Sequence, residues 1–88
     1  MFSSQSFAAQ ITGTLKWKSG KPAAKQDLKV DFKSYNPCYV KTDPDGNFTA
    51  TWSGGSSSQD TIKIFWNGKI VYEGFITNGN RIVVHLPD

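Results

Sequence analysis

A polar segment near the middle of the chain reads Thr42-Asp43-Pro44-Asp45-Gly46-Asn47-Phe48. Tight turns require such residues, because Pro presets φ, Asp and Asn bond to nearby backbone, and Gly adopts a positive φ. Residues 39–42 before the segment and residues 48–52 after it have the composition and alternation of strands. Residues 42–48 are therefore predicted to form a turn between two strands.

Alternation with a period of two continues along most of the chain, and no window has the stripe of an amphipathic helix. In the first alternating segment the residues expected on the buried face are Ile11, Gly13, Leu15 and Trp17. Further strands are predicted around residues 28–32, 39–42, 48–52, 61–66, 69–76 and 81–86, separated by segments rich in Gly, Pro, Asn and Ser. The alternating apolar residues of the first and third of these are Leu28, Val30, Phe32, Phe48, Ala50 and Trp52. About seven short strands indicate an all-β sandwich or a small barrel.

Length and composition limit the class of protein. The 88 residues are 38% hydrophobic and 19% charged, which fits one globular domain and neither a disordered chain nor a membrane span. We expect a poorly ordered N-terminal extension over residues 1–8 and a single sandwich domain over residues 9–88. The net charge of +3 comes from scattered basic residues, whereas a nucleic-acid surface would cluster them, so no nucleic acid or membrane is expected as a partner.

The cysteine content and the N-terminus bear on location and stability. Cys38 is the one cysteine, so the chain has no internal disulfide and no multi-cysteine metal framework. Residues 1–9 have neither a basic start nor an apolar run of signal-peptide length, which predicts a cytoplasmic protein. If the chain is an excised domain of a longer protein, the location would instead be secreted or in the cell envelope.

The dipeptide Asn67-Gly68 predicts a hairpin, and the pairing of its two strands depends on the length of the turn. A two-residue turn pairs Trp66 with Lys69 and mixes apolar side chains on both faces. A three-residue loop pairs Phe65 with Lys69 instead, and its buried face then collects Ile62, Ile64, Ile70, Tyr72 and Ile76. Burial favours the three-residue, bulged loop.

In that register Phe65, Val71 and Phe75 point outward together with Lys63 and Glu73. One interpretation is that the Ser/Gly-rich loop of residues 53–59 or the N-terminal segment covers them. The other is that apolar side chains rimmed by charge form a surface for a protein partner or for self-association. The predicted partner-binding residues are Lys63, Phe65, Val71 and Phe75.

The pattern Ile11-x-Gly13, Gly20-x-Pro22, Val30 and Thr42-Asp43-x-x-Gly46-x-Phe48 resembles the carboxypeptidase regulatory-like domains, which are prealbumin-like (transthyretin-like) β-sandwiches. The resemblance covers residues 11–52. It implies a Greek-key sandwich of two sheets, a turn at residues 42–46 that crosses between the sheets, and a last strand beside the first. It also implies an accessory module with structural, adhesive or ligand-presenting roles and no catalysis. A simple hairpin between the last two predicted strands would instead pair Ile76 with Ile82 and Glu73 with His85.

Candidate catalytic and cofactor chemistry is sparse. His85 is the one conventional general base, and a Cys38/His85 pair lacks an evident acid to orient it. The Asp43-x-Asp45-x-Asn47 pattern is explained by turn chemistry, since the late glutamate of a calcium loop is absent. The sequence therefore predicts no enzyme, no cofactor and no metal.

The leading hypothesis is a non-catalytic sandwich module that makes protein contacts or gives structural support. The alternative is a carbohydrate-binding module, because exposed aromatic side chains stack on sugar rings. Trp66, beside a hairpin tip, and Tyr35, in a loop, are the aromatic residues expected to be exposed.

Overall fold

The computed structural model describes residues 9–54 and 58–87. Every regular element in these two ranges is a strand, so no helix there could cross a membrane. The strands are β1 (Ala9–Lys16), β2 (Asp27–Phe32), β3 (Cys38–Lys41), β4 (Asn47–Trp52), β5 (Gln59–Trp66), β6 (Lys69–Thr77) and β7 (Arg81–His85). The expected seven-stranded all-β fold is confirmed. The predicted extension over residues 1–8 and the middle of the predicted Ser/Gly loop lie outside the described residues.

The strands form two sheets that pack as a sandwich. Sheet A has the order β4-β1-β7, and sheet B has the order β3-β2-β5-β6. At one edge of the sandwich β3 lies beside β4, and at the other edge β6 lies beside β7. The chain passes from sheet B to sheet A between β3 and β4, as the resemblance implied for the turn at residues 42–46.

The last strand lies beside the first. β7 pairs with β1 in parallel, with Val83 opposite Thr14, so the hairpin pairing of Ile76 with Ile82 and of Glu73 with His85 is wrong. The connection between β6 and β7 explains the difference, because its backbone bonds to β1: Gly79 N donates to Gln10 O at 2.8 Å, and Thr12 N donates to Asn80 O at 3.0 Å. The connection therefore places β7 in sheet A, where it pairs with β1 and not with β6.

The crossing turn is held by side-chain and backbone hydrogen bonds. The carboxylate Oδ1 of Asp43 accepts from the backbone N–H groups of Asp45 and Asn47, each at 2.9 Å. Gly46 has a φ of +80°, as the sequence predicted for this position. The buried hydroxyl of Thr42 donates to Ala23 O at 2.6 Å and accepts from Gln26 N at 2.8 Å, which ties the turn to the segment before β2.

The core lies between the sheets and is supplied by alternate residues of the strands. Its buried hydrophobic members are Ala9, Ile11, Leu15, Ala23, Leu28, Val30, Phe32, Phe48, Ala50, Trp52, Ile62, Ile64, Trp66, Ile76, Ile82, Val84 and Leu86. Burial of this surface is the main favourable contribution to folding, since the described residues contain no disulfide. The alternation in the sequence therefore identified the buried faces of β1, β2 and β4 correctly.

The β5–β6 hairpin departs from the predicted register. Trp66 pairs with Lys69 across a two-residue turn in which Asn67 and Gly68 both have positive φ, at 50° and 77°. The predicted three-residue loop is therefore wrong. A bulge beyond the first two pairs leaves Val71 as the extra residue, so Phe65 pairs with Ile70 while Ile64 pairs with Tyr72.

The bulge keeps the buried face of the hairpin apolar despite the short turn. Ile62, Ile64 and Ile76 are buried as predicted, and Tyr72 is half-buried against the core. Ile70, which was expected on the same face, is 49% exposed on the opposite side. A shift of one residue within a strand moves side chains to the other face, which is why a bulge can replace a longer loop.

Candidate functional site

The face of sheet B that points away from sheet A, here called the outer face, carries most of the exposed apolar side chains of the described residues. Phe75 is 62% exposed and Tyr39 is 72% exposed, and both lie on this face with Ile70 and the half-buried Phe65. Val83, in β7 of sheet A, is the other large exposed hydrophobic residue in the described ranges. The outer face of sheet B is therefore the candidate functional surface.

On the part of the outer face formed by β5 and β6, the side chains are arranged in cross-strand pairs. Three successive outward-facing pairs cross the two strands: Thr61 with Phe75, Lys63 with Glu73, and Phe65 with Ile70. The charged pair lies between an aromatic residue on one side and an apolar pair on the other. We call the set Lys63, Phe65, Ile70, Glu73 and Phe75 the contact face.

Three of the four predicted partner-binding residues lie on the contact face, namely Lys63, Phe65 and Phe75. The fourth, Val71, is half-buried and packs against the core, so its expected outward position is wrong. The bulge at Val71 gives that outward position to Ile70. Sequence reasoning missed Ile70 because strict alternation does not indicate where a bulge falls.

The two aromatic residues predicted for carbohydrate binding do not form one platform. Trp66 is buried, at 8% exposure, and its indole Nε1 donates to Gln26 Oε1 at 3.1 Å, so its expected exposure is wrong. Its ring packs edge-on against Trp17, with 5.9 Å between the ring centroids. Tyr35 is half-buried beyond the far end of β2, in a cleft shared with Pro37, at the opposite end of sheet B from Trp66.

The candidate catalytic pair is separated by the fold. Cys38 begins β3 at one edge of the sandwich, and the exposed His85 ends β7 at the opposite edge. In the part of the chain that the structure describes, no group of three or more His, Cys, Asp or Glu side chains could hold a metal ion. Oδ1 of Asp43 accepts hydrogen bonds from two backbone N–H groups of its own turn, as turn chemistry predicts.

The fold is similar to part of two solved structures. One is a DUF3823 family protein from Parabacteroides merdae, with a TM-score of 0.55 and 11% sequence identity over 92% of this chain. The other is a DUF3823 family protein from Bacteroides ovatus, with a TM-score of 0.53 and 15% identity over 86% of this chain. The chain spans 46% and 43% of those proteins, which is less than half of their length.

At these identities the likeness concerns the fold alone. No protein-family model matches the chain, and no curated protein matches its sequence. The comparisons therefore agree with a β-sandwich, and the function has to be argued from the surface of this chain.

Proposed function

We propose that the chain is a non-catalytic β-sandwich module that makes protein contacts through the contact face, and that its partner there is a second copy of the chain. One observation carries this proposal: exposed apolar side chains and an exposed charge pair alternate in register across β5 and β6. Grouped apolar side chains rimmed by charge are characteristic of protein interfaces.

The contact face is complementary to itself. A twofold axis parallel to the strands and midway between β5 and β6 would stack β5 of one copy on β6 of the other. Lys63 would then face Glu73 of the second copy twice, and Phe65 would face Ile70 twice. Such an arrangement pairs opposite charges and apolar surfaces at once, as an isologous interface requires. Within the described residues neither Lys63 nor Glu73 is in an ion pair, and Lys63 lies opposite Asp31 and Glu73 of its own sheet.

The separation of Cys38 and His85 at opposite edges supports a module without catalytic chemistry of that type. The two similar solved structures support an accessory role, because in each of them the matched sandwich is under half of a longer chain. We also infer a relation to the carboxypeptidase regulatory-like domains. The sheet-crossing turn at residues 42–46 and the parallel pairing of β7 with β1 support this inference.

Sedimentation velocity over a concentration series tests the proposal. The unaltered protein is expected to shift from monomer to dimer as its concentration rises, and Phe75→Ser and Ile70→Ser are each expected to weaken the dimer about tenfold or more. Val83→Ser is the matched control, because Val83 is a similarly exposed hydrophobic residue on sheet A. It is expected to leave the dimerisation constant unchanged.

A charge exchange tests the predicted pairing directly. Lys63→Glu alone would place like charges opposite each other and should abolish the dimer, whereas Lys63→Glu combined with Glu73→Lys should restore it. A protein that remains monomeric at all concentrations would refute self-association. Equal dimerisation of the single and double charge variants would refute the proposed geometry.

A further inference from the structure

A trough crosses the outer face between β3 and the β5–β6 turn, and it shares Phe65 with the contact face. Its volume is about 580 Å³, which is within the usual size of small-ligand sites. Tyr39 and Lys41 border it on the β3 side, and Phe65 with the Asn67 turn borders it on the β5 side. Lys29 of β2 lies between these two sides, since it pairs with Tyr39 on one side and with Phe65 on the other.

Lys29 lies between two aromatic residues of the neighbouring strands and contacts one of them. Its ammonium Nζ lies 5.5 Å from the centroid of the Phe65 ring, which is a cation–π distance. The Tyr39 ring on its other side is 72% exposed and offers a face for stacking. Strand pairing fixes the order Tyr39, Lys29, Phe65 across β3, β2 and β5.

The trough is lined by two lysines, Lys29 and Lys41, and by one carboxylate, that of Asp27. Lys41 pairs with Asp27 at 3.8 Å, while Lys29 has no carboxylate at ion-pair distance among the described residues. Lys29 is half-buried, and a lysine without a carboxylate partner favours an anionic ligand. Asp27 borders the trough beside Lys41, and its carboxylate oxygens can accept hydrogen bonds from hydroxyl groups.

We propose that this trough binds an acidic saccharide, in which a pyranose ring carries a carboxylate. The C–H face of the ring stacks on Tyr39, and the carboxylate pairs with the ammonium of Lys29. Ring hydroxyls bond to the carboxylate of Asp27 and to the amide of Asn67. A neutral sugar would leave the charge of Lys29 unmatched, so the carboxylate provides the specificity.

Titration of the protein with trigalacturonic acid, followed by amide NMR shifts, tests the site. We expect weak binding with a Kd of about 1 mM, as few groups contribute, and shifts centred on Lys29, Tyr39 and Phe65. Added salt should weaken the binding, because the interaction depends on charge. The neutral trisaccharide of galactose should bind at least about tenfold more weakly.

Variants separate this site from the other surfaces. Lys29→Gln and Tyr39→Ala should each weaken trigalacturonate binding about tenfold. Tyr35→Ala and Lys18→Gln are the controls, since the Tyr35 cleft lies elsewhere and Lys18 is exposed in a turn. Tyr39 lies outside the contact face and pairs with Lys29, not with a contact-face residue, so Tyr39→Ala should still dimerise if the proposed function is correct. Thermal unfolding checks that each variant is folded.

Three outcomes would overturn the acidic-saccharide site. The first is an absence of shifts with trigalacturonate in the folded protein. The second is equal binding of the acidic and neutral trisaccharides. The third is retention of binding in Tyr39→Ala with its loss in Tyr35→Ala, which would move the site to the other cleft.

Discussion

At the residue scale, Gly46 combines a left-handed backbone with a close approach to another strand. Its carbonyl accepts from Leu15 N at 2.7 Å, and a Cβ at this position would lie 2.5 Å from Leu15 O. Leu15 O is itself fixed, because it accepts from Ala23 N at 2.9 Å. The turn therefore requires glycine for two independent reasons, one conformational and one steric.

We expect Gly46→Ala to lower the free energy of unfolding by about 3 kcal/mol, from left-handed strain together with the backbone contact. Gly20→Ala is the matched control, because Gly20 has a φ of +93° with nothing within 4 Å of its would-be Cβ. Its cost should be about 1 kcal/mol, from strain alone. Urea denaturation measures both, and equal costs would show that the contact with Leu15 is relieved by a small backbone movement.

At the element scale, local sequence determines the turn of the β5–β6 hairpin, whereas long-range hydrogen bonds determine the position of β7. The two-residue turn follows from Asn67-Gly68, which can both take a positive φ. The bulge at Val71 then restores the buried face that this turn would otherwise disrupt. For β7 the deciding contacts are those of Gly79 and Asn80 with β1, which join residues far apart in the chain.

A cross-linking experiment tests the place of β7. In a Cys38→Ser background, Thr14→Cys with Val83→Cys should form a disulfide readily, since these residues are in register on adjacent strands. Glu73→Cys with His85→Cys, the pair that the hairpin register would place together, should not. Mass spectrometry of the oxidised proteins detects the loss of two hydrogens. Preferential oxidation of the second pair would refute the parallel β1–β7 ladder.

At the scale of the whole molecule, two aromatic pairs join the sheets at opposite ends of the sandwich. Phe32 of sheet B packs against Trp52 of sheet A, with 5.2 Å between the ring centroids. At the other end Trp66 of sheet B packs against Trp17, which follows β1 of sheet A. The indole of Trp52 donates to Ser58 Oγ at 2.7 Å, so the burial of this ring leaves no unsatisfied donor.

Because the two pairs are distant from each other, we expect their contributions to be independent. Phe32→Leu and Trp66→Phe should each lower the free energy of unfolding by about 1–2 kcal/mol, and the double variant should equal their sum within about 0.5 kcal/mol. Phe32→Leu combined with Trp52→Phe is the comparison, and it should deviate from additivity because these rings touch. Chemical denaturation gives all the values. A double variant of Phe32 and Trp66 that deviates strongly from the sum of the two single changes in unfolding free energy would contradict independent contributions.

Much of the candidate site could be predicted from sequence, and the misses have specific causes. Lys63, Phe65 and Phe75 were identified because alternation in β5 and β6 holds away from the bulge. Ile70 was missed because it precedes the bulge, and Tyr39 because β3 has only four residues, too few for a periodic signal. Trp66 was expected at the surface from its place beside a turn, yet Trp17 and Gln26 cover it.

Local sequence accounts for the seven strands, for the buried faces of β1, β2 and β4, and for the turn at residues 42–46 with glycine at position 46. These features depend on interactions between residues close in the chain, on side-chain period and on allowed backbone angles. Contacts made in the folded chain determine the partner of β7, the bulge at Val71 and the burial of Trp66. Each of those depends on contacts between segments distant in sequence, whose free energy is set by packing and cannot be read from local pattern.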